Sequence, residues 1–313
     1  MGAAEVTNEA PGLSFIIPAY NEEAGVAATV ERLKAVLART GMDHEIIVVN
    51  DGSTDGTLRT LEGLSGIHII SLPLNSGYGS AIKTGILAAR YAWLGIVDAD
   101  GTYEIEMLPR LIERMGMGFD MVIATRRNVL QRDRWLKGLF RRVFLKLFVI
   151  IANKKILDPN SGFRLFRREL AMTFFPFLCD TFSFTTTITL LAVGNALFVD
   201  YVPTDYASRK GDSKISHFRD TLRMVQLVVQ GTTFFNPIKI FGILAILLLI
   251  FVGLPALLMV FVSEKLALMY VILGCATAIL AGLGIMGDIV RVSSAKFDPK
   301  LGQSLPGRNY VER

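Results

Sequence analysis

An apolar run in this chain ends in Gly95-Ile96-Val97-Asp98-Ala99-Asp100-Gly101, where two carboxylates follow residues predicted to form a β-strand. Side chains on a strand alternate between its faces, so Asp98 and Asp100 are expected on the same side, roughly 6–7 Å apart. Two charges at that separation repel by roughly 2–3 kcal/mol at an effective dielectric constant of about 20. A divalent cation relieves this repulsion, and hard oxygen ligands suit Mg²⁺ or Mn²⁺. The pair therefore indicates a metal site, and a solvated turn at the strand end is the alternative.

Strands and helices alternate on both sides of this pair. Strands are predicted at 13–20, 44–51, 67–72, 91–98 and 120–124, with helices between them. This order is typical of an α/β fold with a parallel sheet and helices on both faces. Ligands of such sheets bind at the carboxyl ends of the strands, so polar clusters at 18–22, 50–55 and 98–100 are expected to converge on one crevice.

The residues that follow the first predicted strand disfavour a nicotinamide-dependent oxidoreductase. No G-x-G-x-x-G motif follows it, and Gly77-Tyr78-Gly79 is a weak substitute that serves a turn equally well.

The composition predicts a membrane-associated protein. The 313 residues are 51% hydrophobic, and the mean hydropathy of +0.45 is high for an ordinary soluble protein. The net charge of +5 admits nucleic acid, anionic lipid or phosphorylated substrates as partners. Two runs without ionisable residues, 240–262 and 266–287, are each long enough to span a bilayer.

The flanking charges predict the orientation of these two runs. The turn between them carries Lys265 as its only cation, whereas basic residues are frequent on both outer sides. By the positive-inside rule, both termini and the domain before the runs face the cytoplasm. The outer basic residues are Arg219, Arg223, Lys239, Arg291, Lys296, Lys300, Arg308 and Arg313.

Five motifs in order resemble those of one enzyme family. They are Ile-Ile-Pro-Ala-Tyr-Asn-Glu-Glu at 16–23, Val-Val-Asn-Asp-Gly-Ser-Thr-Asp at 48–55, Asn-Ser-Gly-Tyr-Gly at 75–79, Val-Asp-Ala-Asp-Gly at 97–101 and Asp-Pro-Asn-Ser-Gly-Phe-Arg at 158–164. From about residue 13 to 235 the chain resembles the family 2 glycosyltransferases of GT-A (Rossmann-like) fold. Within them it is most similar to the polyprenyl-phosphate glycosyltransferases of the dolichol-phosphate mannose synthase type.

The resemblance implies a donor site. Asp98 and Asp100 would bind the donor diphosphate through Mg²⁺ or Mn²⁺. Two positions depart from the usual pattern: Thr102 stands where a metal-binding Gln is frequent, and Asn50 replaces the first residue of an Asp-Asp pair. The base and ribose of a nucleotide-sugar would be held by Pro18, Ala19, Tyr20, Glu22 and Asp51.

The resemblance also implies an acceptor site and a closing loop. Arg126, Arg142, Ser161 and Arg164 would face the acceptor phosphate, although Arg141 fits the second position nearly as well as Arg142. Arg209 and Lys214, in a basic Gly-Ser-Lys loop, would fold over the donor pyrophosphate. The implied catalytic set is Asp98, Asp100, Arg126, Arg209 and Lys214.

The expected organisation has five parts. A tail (1–12) precedes a GT-A catalytic domain (13–215), a juxtamembrane helix (216–236), a two-helix transmembrane hairpin (237–290) and a basic cytoplasmic tail (291–313). Within the catalytic domain, apolar residues at helical spacing and a basic face over 135–152 predict an interfacial amphipathic helix. A helix packed on the core with a solvated basic face fits that segment equally well.

The expected activity is an inverting transfer of a sugar from a nucleotide-diphosphate sugar to undecaprenyl or dolichyl phosphate at the cytoplasmic membrane. The partners are then the donor, the acceptor and the bilayer, without nucleic acid. A homo-oligomer is admitted, although the sequence carries no interface signature. One alternative is a processive family 2 polysaccharide synthase, whose Q-x-x-R-W signature is matched at 131–135. The other is an inactive nucleotide-binding membrane scaffold.

Overall fold

The computed structural model of the chain describes residues 12–126, 156–205, 242, 245–294 and 311–312. The chain divides into two compact units, Met1–Met224 with Asp298–Arg313, and Val225–Phe297. The helices predicted at 135–152 and 216–236 lie outside the described residues.

One mixed β-sheet forms the frame of the first unit. Among the described residues its strands are β1 (Leu13–Ala19), β2 (His44–Asp51), β3 (His68–Leu72), β4 (Trp93–Ile96), β5 (Met121–Arg126), β6 (Arg164–Arg167), β7 (Val199–Thr204) and β8 (Val311–Glu312). Their order across the sheet is β7-β5-β6-β4-β1-β2-β3-β8. β2 has the bounds that the sequence predicted, whereas β4 is shorter at both ends.

The prediction of a parallel sheet was wrong for part of it. β1 is parallel to β2 and β4, β2 to β3, and β5 to β7. β6 lies between β4 and β5 and is antiparallel to both, and β8 is antiparallel to β3. The hydrophobic pattern of a strand does not specify the direction of its neighbours, so these pairings were not visible in the sequence.

Helices cover both faces of the sheet, as predicted. In the first unit they are α1 (Val26–Leu37), α2 (Thr57–Glu62), α3 (Tyr78–Ala88), α4 (Leu108–Gly116), α5 (Arg168–Phe174) and α6 (Phe184–Gly194). α1 packs in the core cluster that contains Phe15 and Ile17. α3 packs against β1 and β2 from the other side, where Gly85 lies against the Ile16 side chain. β1 is therefore buried along its whole length.

The second unit contains a pair of apolar helices. A π-helix (Leu249–Gly253) leads into α7 (Leu254–Val260), and α8 (Glu264–Ser294) packs against both. Pro255 has no N–H and so cannot make the α-helical hydrogen bond to the Phe251 carbonyl. The Tyr270 hydroxyl donates to that carbonyl at 2.9 Å, which ties the two helices together.

Of the described residues, one helix segment is long and apolar enough to cross a membrane. It is Glu264–Gly287, with 24 residues and a hydropathy of 2.3, and Ala245–Val260 is a shorter apolar helix. The first of the two predicted runs, 240–262, begins outside the described residues. The transmembrane hairpin therefore stays a prediction.

Candidate active site

The loops after β1 and β2 interlock. The Asn21 N–H donates to Ser53 Oγ at 3.0 Å, and the Thr54 N–H donates to Asn21 Oδ1 at 2.8 Å. Asn21 has a φ of 55°, a left-handed conformation that asparagine tolerates better than most residues. The Glu22 N–H donates to Thr57 Oγ1 at 2.9 Å. Two of the three predicted polar clusters are thus held together at the carboxyl ends of adjacent strands.

The predicted nucleotide-binding residues of the first motif lie at this edge. Pro18 and Ala19 are buried in β1, whereas Tyr20 and Glu22 are partly exposed just beyond its end. Their contacts with a nucleotide-sugar stay a prediction.

Asp51, at the end of β2, holds the loop that follows β3. Its carboxylate accepts the Ser76 N–H at 2.7 Å and the Gly77 N–H at 2.9 Å. The side chain is 3% exposed, and this burial raises the pKa of Asp51, against which the two backbone bonds act. Gly77 has a φ of 101°, and a Cβ there would lie 2.6 Å from the Asp180 carbonyl oxygen, so the turn requires glycine. A direct contact of Asp51 with the nucleotide stays a prediction.

Asp98 is enclosed by groups from two distant segments. The Tyr78 hydroxyl donates to Asp98 Oδ1 at 2.7 Å. Burial and the negative charge of Asp98 raise the pKa of Tyr78 well above its ordinary value, so the hydroxyl keeps its proton. Gly162 lies against the carboxylate, since a Cβ at that position would be 2.4 Å from both oxygens. The Gly162 N–H donates to the Tyr103 hydroxyl at 2.7 Å, which holds the backbone in place.

Asp100 is held from within its own turn. Its Oδ1 accepts the Thr102 N–H at 3.1 Å and the Thr102 hydroxyl at 2.6 Å. Thr102 is buried, whereas Asp98 and Asp100 are partly exposed on either side of the buried Ala99. The predicted alternation therefore continues past Ile96, the last residue of β4.

The chemistry of these two side chains fits a hard divalent cation. Both offer carboxylate oxygens, and both are fixed by hydrogen bonds from hydroxyl groups. Within the described segments, no group of three or more His, Cys, Asp or Glu side chains could hold a metal. Mg²⁺ and Mn²⁺ sites of this type use one or two carboxylates and complete the shell with water and substrate phosphates. The residues therefore suit a cation that binds together with a diphosphate.

Arg126, at the end of β5, is paired with Asp158. Its Nε donates to Asp158 Oδ2 at 2.7 Å and a terminal nitrogen donates to Oδ1 at 2.8 Å. The Arg126 backbone N–H also donates to Oδ2, at 3.2 Å. Such a two-point pair fixes the plane of the guanidinium. The Arg126 side chain is 14% exposed. Its contact with an acceptor phosphate stays a prediction.

The predicted acceptor residues Ser161 and Arg164 bind other parts of the protein, and their contact with an acceptor phosphate stays a prediction. Both are fully buried, and the Ser161 hydroxyl donates to the Ala124 carbonyl at 2.6 Å. Arg164 donates to the Thr185 carbonyl at 2.9 Å and to the Thr189 hydroxyl at 2.8 Å. It also donates to carbonyl groups of the loop that precedes it, those of Pro159 and Ser161. Burial lowers the pKa of Arg164.

The direction of the Arg164 side chain explains its burial. Arg164 points into the interior, where backbone carbonyl groups surround its guanidinium. Its hydrogen bonds therefore stabilise the segment at 158–164 from the interior of the domain.

Three predicted residues fall outside the described residues. They are Arg142, on the acceptor side, and Arg209 and Lys214, in the basic loop.

Three further residues shape this edge of the sheet; sequence reasoning missed Tyr78 and Gly162, whereas it had noted Thr102 at the position of a frequent metal ligand. Tyr78 and Gly162 contact Asp98, and Thr102 contacts Asp100. Tyr78 and Gly162 lie inside motifs that the sequence singles out, at 75–79 and 158–164. That position was the available signal, but it does not show which way a side chain points.

Comparison with known proteins identifies the family. Residues 14–175 match the sequence profile of Glycosyl transferase family 2. The chain belongs to this family. The family 2 glycosyltransferase is 30% identical over 241 residues to a dolichyl-phosphate beta-glucosyltransferase of Dictyostelium discoideum, covering 70% of this chain and 73% of that one. It is 29% identical over 246 residues to an undecaprenyl-phosphate 4-deoxy-4-formamido-L-arabinose transferase of Enterobacter sp. (strain 638), covering 74% and 70%.

Solved structures support the GT-A-like fold of this family 2 glycosyltransferase. Glucosyl-3-phosphoglycerate synthase from Mycobacterium tuberculosis, crystallised with Mn²⁺, uridine diphosphate and phosphoglyceric acid, superposes with a TM-score of 0.57. The alignment covers 71% of this chain and 78% of that one at 19% identity. The same synthase with Mn²⁺, UDP-glucose and phosphoglyceric acid gives a TM-score of 0.56 at 18% identity, covering 71% and 80%. At these identities the likeness concerns the fold.

Proposed function

We propose that this glycosyltransferase moves a sugar from a nucleotide-diphosphate sugar to a polyprenyl phosphate at a membrane, giving a lipid-linked monosaccharide. The observation that carries the proposal is the Asp98–Asp100 pair, fixed at the end of β4 by Tyr78 and Thr102. The named relatives support the acceptor class, since both are polyprenyl-phosphate transferases that align over most of their length.

On the donor side, Asp98 and Asp100 would hold Mg²⁺ or Mn²⁺. When bound, such a cation supplies positive charge to the leaving diphosphate. The interlocked loops after β1 and β2 would hold the nucleotide, with Pro18, Ala19, Tyr20, Glu22 and Asp51 as the proposed contacts. Arg209 and Lys214 are proposed to close over the pyrophosphate.

On the acceptor side, the nucleophile would be a phosphate oxygen. The second pKa of a phosphate monoester is about 6, so the acceptor is largely dianionic at neutral pH and attacks without a protein base. Arg126, oriented by Asp158, would bind the acceptor phosphate together with Arg142. Attack in line with the leaving diphosphate would invert the anomeric carbon.

The membrane location follows from the acceptor. Each CH₂ of a prenyl chain that is drawn into water costs about 0.8 kcal/mol, so the site must lie at the bilayer surface. The apolar helix Glu264–Gly287 and its neighbour Ala245–Val260 would form the hairpin proposed at 237–290. β3 precedes these helices and β8 follows them, and the two strands pair in one sheet. That pairing supports an even number of crossings, with the catalytic domain and the C-terminal tail on one side.

The orientation is proposed from charge. By the positive-inside rule, the basic residues outside the hairpin favour both termini in the cytoplasm, where nucleotide-sugars are made. A juxtamembrane helix at 216–236 and an interfacial helix at 135–152 would bring the domain to the lipid surface.

The test is a substrate panel. Purified full-length protein is incubated with UDP- and GDP-sugars and undecaprenyl phosphate, with Mn²⁺, with Mg²⁺ or with a chelator, and lipid products are identified by mass. A single sugar on the polyprenyl phosphate, formed only with the cation, is expected. A long polysaccharide would support a processive synthase instead, and the absence of turnover with every donor would support an inactive scaffold.

A further inference from the structure

The hydroxyl of Tyr78 contacts one of the two proposed metal ligands. It donates to Asp98 Oδ1 at 2.7 Å, across 20 residues of sequence. The backbone of Gly162 lies against the same carboxylate, because a Cβ there would be 2.4 Å from both of its oxygens. The carboxylate is thus in contact with both a hydrogen-bond donor and a backbone surface.

The Tyr78 ring is itself immobilised. It stacks on the Phe182 ring, with centroids 5.5 Å apart and an interplanar angle of 12°. Two residues further on, the Ser80 N–H donates to the Asp180 carbonyl at 3.0 Å, which fastens the start of α3 to the segment that carries Phe182. The hydroxyl therefore approaches Asp98 from a fixed position.

The two residues before Tyr78 bind Asp51, which is one of the proposed nucleotide contacts. The N–H groups of Ser76 and Gly77 bind the two carboxylate oxygens of Asp51. Three consecutive residues thus connect Asp51, at the end of β2, with Asp98, beyond the end of β4. The connection consists of three hydrogen bonds, two to the buried Asp51 and one to the partly exposed Asp98, and it needs no contact between the two carboxylates.

We infer that Tyr78 is a positioning residue of the donor site, whose hydroxyl fixes the Asp98 carboxylate for the cation and whose chain neighbours link that orientation to Asp51. The inference rests on the proposed function, in which Asp98 is a metal ligand. Residues that hydrogen-bond to a metal ligand set its orientation, and their loss typically lowers metal affinity or activity by about 10–100-fold.

The alternative role of the Tyr78 hydroxyl is purely structural. In that case its removal lowers the thermal stability of the protein and leaves cation binding unchanged. Mn²⁺ affinity in the presence of UDP or GDP separates the two roles, because it is measured without acceptor and without sugar transfer.

The experiment uses the full-length protein in detergent with Mn²⁺ as the probe and UDP or GDP at one fixed concentration, because the proposed cation shares its shell with a diphosphate. Free Mn²⁺ is followed by electron paramagnetic resonance during a titration. Tyr78→Phe keeps the ring and its stacking on Phe182 but removes the hydroxyl. We expect its Mn²⁺ dissociation constant to be at least about tenfold larger than that of the unmodified protein. Tyr91→Phe makes the same chemical change just before β4, at the opposite edge of the sheet, and should leave Mn²⁺ affinity unchanged.

Phe182→Leu is a second variant, at a position that is 46% exposed and therefore tolerant. It removes the stacked ring but keeps the Tyr78 hydroxyl. If the stacking is what holds that hydroxyl against Asp98, Mn²⁺ binding should be weaker in this variant as well. If Tyr78→Phe does not fold, the Mn²⁺ affinity of Phe182→Leu tests the role of Tyr78 instead. Unchanged Mn²⁺ affinity in the folded variants overturns the inference.

Asp98→Asn separates this inference from the proposed function. If Asp98→Asn abolishes Mn²⁺ binding while Tyr78→Phe binds like the unmodified protein, the metal site stands and the role of Tyr78 is refuted. If Asp98→Asn binds Mn²⁺ as well as the unmodified protein, the proposed metal site fails, and the role of Tyr78 fails with it.

Discussion

Replacing Arg164 with methionine distinguishes an interior support from a substrate contact. The sequence resemblance of the motif at 158–164 implies an acceptor contact, which would make Arg164 a phosphate ligand. The structure instead places its guanidinium among the carbonyl groups of Pro159, Ser161 and Thr185 and the hydroxyl of Thr189. Methionine has a similar length and no hydrogen-bond donor, so it removes these bonds without a large change in volume.

The expected loss of stability is large. A hydrogen bond to a charged group contributes about 1.5–3 kcal/mol, and Arg164 makes bonds to four partners. Methionine leaves no charge in the interior, but the carbonyl groups of Pro159 and Ser161 lose the guanidinium as their donor, which costs about 1–3 kcal/mol for each buried group. For a domain of about 200 residues, 1 kcal/mol shifts the Tm by about 2–4 °C. Arg164→Met should therefore lower the apparent Tm by about 4–24 °C.

The assay is thermal unfolding in detergent, followed by tryptophan fluorescence at one fixed scan rate. Arg59→Met, at an exposed position of α2, is the matched control and should unfold within about 2 °C of the unmodified protein. Suppose Arg164→Met also unfolds within that range but loses sugar transfer. The guanidinium would then act on substrate, and its assignment to the interior would be refuted.

Three further substitutions test separate contacts. Gly162→Ala should displace the Asp98 carboxylate, because a Cβ would lie 2.4 Å from its oxygens, and should weaken Mn²⁺ binding by at least about tenfold. Burial raises the pKa of Asp51 above its ordinary 3.8, so ionising this carboxyl in the folded protein costs stability. Asp51→Asn cannot ionise and serves as the reference. Relative to Asp51→Asn, the Tm of the unmodified protein should fall as the pH rises above about 4 and passes through the raised pKa. Tyr270→Phe removes the bond to the Phe251 carbonyl, worth about 1 kcal/mol, and should speed local hydrogen exchange about fivefold.

Each of these predictions has a contradicting result. Gly116→Ala, at a position with open space, is the control for Gly162→Ala, and equal Mn²⁺ affinity in both variants would contradict the close contact. A Tm difference between the unmodified protein and Asp51→Asn that is constant with pH would mean that Asp51 is not perturbed. Unchanged exchange in Tyr270→Phe would show that the helices are held by other contacts.

Local patterns predicted the parts of the fold that local forces determine. β2 was predicted from His44 to Asp51 because an apolar run lies between polar residues, and the structure gives the same bounds. The ends of β1 and β2 converge as predicted, since parallel neighbours must bring their carboxyl ends to one edge of the sheet. Asp98 and Asp100 are both partly exposed and flank the buried Ala99, as expected for side chains that alternate between two faces.

Contacts between distant segments were not predictable in this way. The direction of β6 depends on pairing with β4 and β5, and no feature of Arg164–Arg167 encodes it. The burial of Arg164 depends on α6, whose Thr185 and Thr189 supply acceptors more than 20 residues away. A resemblance to a motif identifies which residues matter, whereas the side-chain directions follow only from packing.

Asp100→Ala tests the central claim most directly. With the donor that the substrate panel identifies, the rate of lipid-linked sugar formation is measured in saturating Mn²⁺ for this variant and for Asp43→Ala, an exposed residue just before β2. A cation held by Asp98 and Asp100 at the leaving diphosphate predicts a loss of at least about a hundredfold for Asp100→Ala and none for Asp43→Ala. Full activity of Asp100→Ala would contradict the account.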